Sequence, residues 1–163
     1  MTFRSSTRLP AFLLLALAVL CCACSEPWNS GYDPATAAPT PAAGGTFTIP
    51  SGRDGVPPIE VEVVEKGSGS APAVGQTVAV HYVGTFLDGK EFENSRDHGT
   101  PIAFELGADG IIRGWNLVVE RMHVGDRWKV MIPSPLAYGS RGSFGVIAAD
   151  TDLVFDMELM EVR

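Results

Sequence analysis

Residues 111–125 read IIRGWNLVVERMHVG. Trp115, Val118, Val119 and Met122 fall at i, i+3, i+4 and i+7, one apolar stripe of a helix that Gly125 is placed to close. The largest apolar side chain of the stripe sits at the first turn, behind a glycine and two isoleucines. Every other apolar segment of the C-terminal two-thirds alternates with period two, so this single helix must be covered by strands.

IEVEVVE (59–65) places Ile59, Val61 and Val63 on one face and Glu60 and Glu62 on the other. QTVAVHYVGTF (76–86) does the same with Val78, Val80 and Tyr82, and LDGK (87–90) follows with Asp88-Gly89, a strong hairpin signal because both turn positions tolerate positive φ. KEFENS (90–95) is the expected return strand. PIAFELG (101–107), DRWKVMIP (126–133) and TDLVFDMELMEV (151–162) continue the alternation. Strands joined by short connections, with one helical segment, predict an α+β domain: a twisted antiparallel sheet wrapped around one short α-helix. Phe104 and Trp128 read as core.

The chain has 163 residues and a formal charge of −7. That is room for one domain with extensions, and the charge, without any cluster of Lys and Arg, argues against a nucleic-acid partner. Arg4 and Arg8 precede an apolar run from Leu9 to Leu20, too short for a membrane span of about 20 residues and suited to an export signal over residues 1–24. All three cysteines lie in CCACS, at Cys21, Cys22 and Cys24, so the expected folded part has no disulfide. The Ala23-Cys24 pair resembles the processing site of bacterial lipoprotein precursors, implying lipidation at Cys24. Ser25 behind it points to the outer membrane rather than the inner. Residues 25–55, rich in Pro, Ala, Gly, Ser and Thr, read as a linker, and residues 56–163 as the domain.

Phosphate-binding loops, dinucleotide fingerprints, zinc-ligand spacing and the G-x-S-x-G elbow are all missing from the sequence. His81, His98 and His123 stand singly and read as strand, loop and helix-surface residues. What stands out is apolar weight at element ends and in the glycine-rich stretch SPLAYGSRGSFGVIAAD (134–150), where a polar loop is expected.

Three stretches, VHYVGTFLDGKEFENSRD (80–97), LGADGIIRGW (106–115) and LAYGSRGSFGVIAADTDLVFDMEL (136–159), together resemble the FKBP-type peptidyl-prolyl cis/trans isomerases, from about Val56 to Arg163. The resemblance implies an apolar pocket with Trp115 as its floor. Tyr82, Phe92, Ile111, Ile112, Tyr138, Val146, Ile147 and Phe155 are the implied walls, with Ile102 where the family carries an aromatic. It further implies that the Ile112 amide and the Tyr138 hydroxyl bond carbonyls of a bound peptide, and that Glu93 stands where the family has Asp. Ser143-Phe144 replaces the His-Pro of the macrolide-binding relative, which implies an altered substrate preference.

The implied activity is rotation about X-Pro bonds of exported polypeptides, with no metal or cofactor. The partners implied are proline-containing polypeptides and, through the lipid, a membrane on the periplasmic side of a bacterial envelope. The stretch around Tyr138 is too short for an inserted chaperone domain and residues 25–55 for a dimerising helix, so a minimal monomer is expected. A noncatalytic module holding a proline segment in the same pocket is the alternative.

Overall fold

The computed structural model describes residues 20–21, 30–143 and 145–163. Its centre is one antiparallel sheet. Strands Thr46–Ile49 (β2), Ile59–Glu65 (β3), Thr77–Phe86 (β4), Glu91–Asn94 (β5), Ile102–Glu105 (β6), Arg127–Ile132 (β8) and Leu153–Val162 (β9) are ordered β2-β3-β8-β9-β4-β5, and β6 also pairs with β4. A separate pair joins Leu20–Cys21 (β1) to Gly110–Ile111 (β7), Leu20 opposite Ile111. The rest of the expected export signal, Cys24 included, lies outside the described residues.

The period-two alternation is visible in the burial. Val78, Val80 and Tyr82 of β4 and Leu153, Phe155, Met157 and Leu159 of β9 are all buried, while their neighbours in sequence are not. β4 is the longest strand with β9, and along one edge it carries β6 on its first half and β5 on its second. The hairpin forms where Asp88-Gly89 predicts it: Gly89 has φ +84° and the Phe86 amide donates to Lys90 O at 2.9 Å.

Helix α1 covers Arg113–Val119, shorter than the sequence suggests. Trp115, Val118, Val119 and Met122 are each fully buried, so the stripe is right. Its closure by Gly125 is not. The amides of Arg121 and Met122 donate to carbonyls three residues back, and Asp126, itself buried, takes the His123 amide at 2.6 Å and the Gly67 amide at 2.7 Å. That carboxylate draws the chain into a tight turn and ends the helix early. A helix of seven residues without a side-chain cap has no independent stability, so its burial against the sheet must hold it.

The reading of residues 25–55 as a linker is corrected from Ser30 onward. β2 adds a strand to the edge of β3, with Phe47 opposite Val61 and Ile49 opposite Ile59. The Phe47 ring stands edge-on to Trp128 at 5.3 Å, and Ile49 is buried. Upstream, the Tyr32 ring lies 4.1 Å from the Arg121 guanidinium and Lys66 Nζ donates to Thr40 O at 2.7 Å. The alternation of Phe47 and Ile49 is only two residues deep, and the surrounding Pro, Ala and Gly conceal it.

A chain beginning at Val56 is therefore expected to fold less stably than one beginning at Ser30. Loss of the Phe47 and Ile49 contacts should lower Tm by about 5 °C or more, read by calorimetry on the two chains. Equal Tm values would return residues 30–55 to the status of a linker.

Candidate active site

The position of Trp115 follows from how the helix begins. Ile112 precedes it in extended conformation (φ −57°, ψ 137°), and Gly114 lies so near β8 that a Cβ there would meet Ile132 Cγ2 at 2.5 Å. The first turn is thus pressed onto the sheet, and the next side chain, Trp115, enters the concave face. Its ring meets Tyr82 at 4.7 Å and 77°, Phe155 at 5.4 Å and 88°, and Phe104 at 5.9 Å. Phe92 completes the cluster, edge-on to Phe155 at 5.9 Å and next to Phe86 at 5.1 Å. Edge-to-face pairs of this kind contribute roughly 0.5–1.5 kcal/mol each beyond the area they bury.

Four of the sequence-predicted residues, Tyr82, Phe92, Trp115 and Phe155, are therefore in one cluster built from β4, β5, α1 and β9. Ile111 and Ile112 are buried at the entry to α1. Tyr138 and Ile147 are buried within the glycine-rich stretch. That stretch is ordered by two short 3₁₀ turns, Ser134–Leu136 and Gly139–Arg141, and by a bridge in which Ser143 and Ile147 exchange backbone hydrogen bonds of 2.9 and 3.1 Å. Gly142 makes the bridge possible: φ is +63°, and a Cβ would lie 2.3 Å from Ile147 O. Val146 differs from its neighbours, standing 51% exposed at the loop tip rather than in the buried cluster. Phe144 lies outside the described residues.

Phe104 extends the cluster, and Trp128 serves the core beneath β2, as a core reading of both residues requires. The Trp115 indole Nε1–H is buried with no hydrogen-bond partner among the described residues, an unusual donor to leave in an apolar cluster.

Polar groups flank the cluster on one side. Glu93 is buried, with Oε1 2.9 Å from His98 Nε2. Burial pushes the Tyr82 hydroxyl up, and the Glu93 carboxylate adds to the effect, so the phenol is protonated and neutral throughout the physiological range. Ser95 ties the end of β5 to β4: its Oγ accepts from the Tyr82 amide at 2.8 Å, donates to Tyr82 O at 3.1 Å, and meets His81 Nδ1 at 2.9 Å.

Three residues of this region escape a sequence reading. His98 reads as a loop residue and stands on Glu93. Ser95 reads as the end of a strand and holds Tyr82 in register. Gly84 reads as one of 18 glycines, yet a Cβ there would strike Phe92 Cζ at 2.6 Å and Cε2 at 2.7 Å. A glycine in the middle of a ten-residue strand is the one signal that could have marked it.

An antiparallel sheet closed over one short helix, with the helix's first-turn tryptophan at the centre of an aromatic cluster, is the arrangement that the resemblance to the isomerase family implies. The profile of the FKBP-type peptidyl-prolyl cis-trans isomerases matches residues 68–160, and the chain belongs to that family. It is 41% identical over 105 residues to FK506-binding protein 1 of Dictyostelium discoideum, covering 64% of this chain and 98% of that protein. To the FKBP-type isomerase FkpA of Escherichia coli it is 46% identical over 102 residues, covering 63% of this chain but 37% of that protein. The crystal structure of FkpA superposes with a TM-score of 0.60 at 42% identity, over 69% of this chain and 54% of the other. That of AtFKBP13 gives 0.61 at 30% identity, over 64% and 93%.

Gly84→Ala is expected to displace the Phe92 ring and lower kcat/KM for X-Pro isomerisation about tenfold, equivalent to about 1.4 kcal/mol. In a Phe92→Ala background the same change should cost little, because the obstructed ring is gone. Additive losses in the double variant would show that Gly84 acts elsewhere.

Proposed function

We propose that the aromatic cluster is the proline site, and that this isomerase is an exported, lipid-anchored enzyme acting on polypeptides as they fold in a bacterial envelope. The observation that carries the site assignment is the convergence of Tyr82, Phe92 and Phe155 with the first-turn Trp115. In this reading Trp115 is the floor beneath the proline ring, and Ile102, Ile111, Ile147 and the more exposed Val146 complete the walls. Ile112 stands at a helix start, where backbone amides have no intrahelical partner, and offers its N–H to a peptide carbonyl. The Tyr138 hydroxyl donates to a second carbonyl.

The chemistry follows from the amide itself. Rotation costs roughly 18–20 kcal/mol because resonance must be broken, and an X-Pro bond exchanges in tens to hundreds of seconds. Twisting also removes the charge separation of the planar amide, so the transition state is less polar than the ground state. A neutral, water-poor wall favours the twisted form, and the Tyr82 phenol, protonated at physiological pH, adds no charge to it. A thousandfold acceleration requires about 4 kcal/mol of differential stabilisation. Two hydrogen bonds that strengthen as the bond twists, together with desolvation, are of that size.

Export and anchoring rest on the basic residues and apolar run before Leu20 and on Ala23-Cys24, with Ser25 favouring the outer membrane. Mass spectrometry of the mature chain is expected to find Cys24 as the acylated N-terminus and Cys24→Ala unprocessed. A mature chain without acyl groups would overturn the anchor and leave the isomerase intact.

For the site, magnetisation-exchange NMR on an X-Pro peptide is expected to show Tyr138→Phe turning over about three- to tenfold more slowly, with Tm within about 2 °C of the parent. Phe92→Ala should lose more activity than stability. Binding of proline peptides with no acceleration by the parent protein would favour a holding module instead.

A further inference from the structure

A cavity of about 480 Å³ opens beside the aromatic cluster, bounded by β4, the start of β6 and the loop that follows β5. Tyr82 and Ile102 form its apolar side; Glu93, Asp97 and His98 form its polar side. Tyr82 belongs to both places, so a peptide seated on Trp115 would have a neighbouring side chain within reach of this second space.

We propose that this cavity is a subsite for a cationic side chain, lysine or arginine, flanking the substrate's proline. The inference rests on the cluster being the proline site. Its own support is an imbalance of charge and of hydrogen bonds. Glu93 is 3% exposed; Oε1 is held by His98, while Oε2 is buried with no hydrogen-bond partner among the described residues. A carboxyl group has two oxygens to satisfy, and a buried one left without a partner is costly, so the site has a place for a further donor. Asp97, exposed and also on the cavity wall, makes no ion pair among the described residues.

The cations nearby do not balance these two carboxylates. Arg96 is committed to Glu158, and His81 faces Ser95 on β4. The Tyr82 hydroxyl is neutral. His98 is already engaged with Glu93 Oε1. In this reading the methylenes of a lysine or arginine turn toward Tyr82 and Ile102 and its charged head toward Asp97 and Glu93, whose buried Oε2 it meets as the side chain enters.

The test uses the whole mature chain and matched peptides with lysine, acetyl-lysine or glutamate before or after the proline. Acetylation removes the charge and keeps the stem. At pH 8 and low salt, lysine is expected to exceed acetyl-lysine in kcat/KM by about fivefold in at least one position, with glutamate below both. Asp97→Asn should reduce this ratio while leaving turnover of the acetyl-lysine peptide unchanged, and Glu93→Gln should reduce it further, the ratio being read within each variant. Equal rates for lysine and acetyl-lysine peptides in both positions would overturn the subsite, as would a preference untouched by both substitutions. Chemical-shift titration of the same peptides gives the preference in binding. A protein that favours lysine in binding but accelerates no peptide would keep the subsite and sink the catalytic assignment of the cluster.

Discussion

The packing of Trp115 against Tyr82 and Phe155 is the contact on which the remainder of this domain depends. The helix that carries it is seven residues long, has no side-chain cap, no acidic residue in its first turn and no basic residue in its last. Local forces do not hold such a segment together. It persists because residues Gly114 to Val119 are buried, and because the sheet supplies a concave surface of matching depth. Gly114 sets that depth by letting the first turn touch Ile132. The same approach that makes the helix stable also places an indole at the centre of the candidate site, so fold and site have one physical origin.

Catalysis of this kind asks little of reactive groups and much of the medium. The barrier is electronic and lies within the substrate, and it falls when the surroundings stop rewarding the planar, charge-separated amide. An aromatic cluster whose phenol is neutral at physiological pH meets that condition. The carboxylate of Glu93 does not contradict it, because the charge is at the margin, beside the phenol rather than beneath the indole. The physics alone would accept any of these residues as ordinary core; the resemblance to the family is what singles them out.

Long-range regularity was legible in the sequence; short-range contact was not. The alternation in β3, β4, β8 and β9 and the stripe on α1 announced a sheet over one helix, since each pattern repeats over several residues. The members of the aromatic cluster were singled out by resemblance to a known family. Spacing alone could not separate Trp115 from Trp128, both fully buried. What escaped was decided by single contacts. Asp126 ended the helix by capturing two amides from different segments, His98 found Glu93 across five positions, and Gly84 was needed because one ring lies over it. β2 escaped for a related reason, since two alternating apolar residues among prolines and alanines carry too little periodicity to be recognised.

The docking of Tyr32 on Arg121 and of β2 on β3 also fixes a length. With the chain held from Tyr32 onward, an acyl group on Cys24 would be separated from the folded body by eight residues, a leash of at most about 29 Å. That is less than the hydrocarbon thickness of one bilayer, about 30 Å. An enzyme so tethered would sample a thin layer of solvent over the lipid headgroups, and its effective concentration toward polypeptides emerging at that surface would exceed its concentration toward those in bulk. Folding thus shortens the reach of a chain whose composition suggests a long and flexible arm.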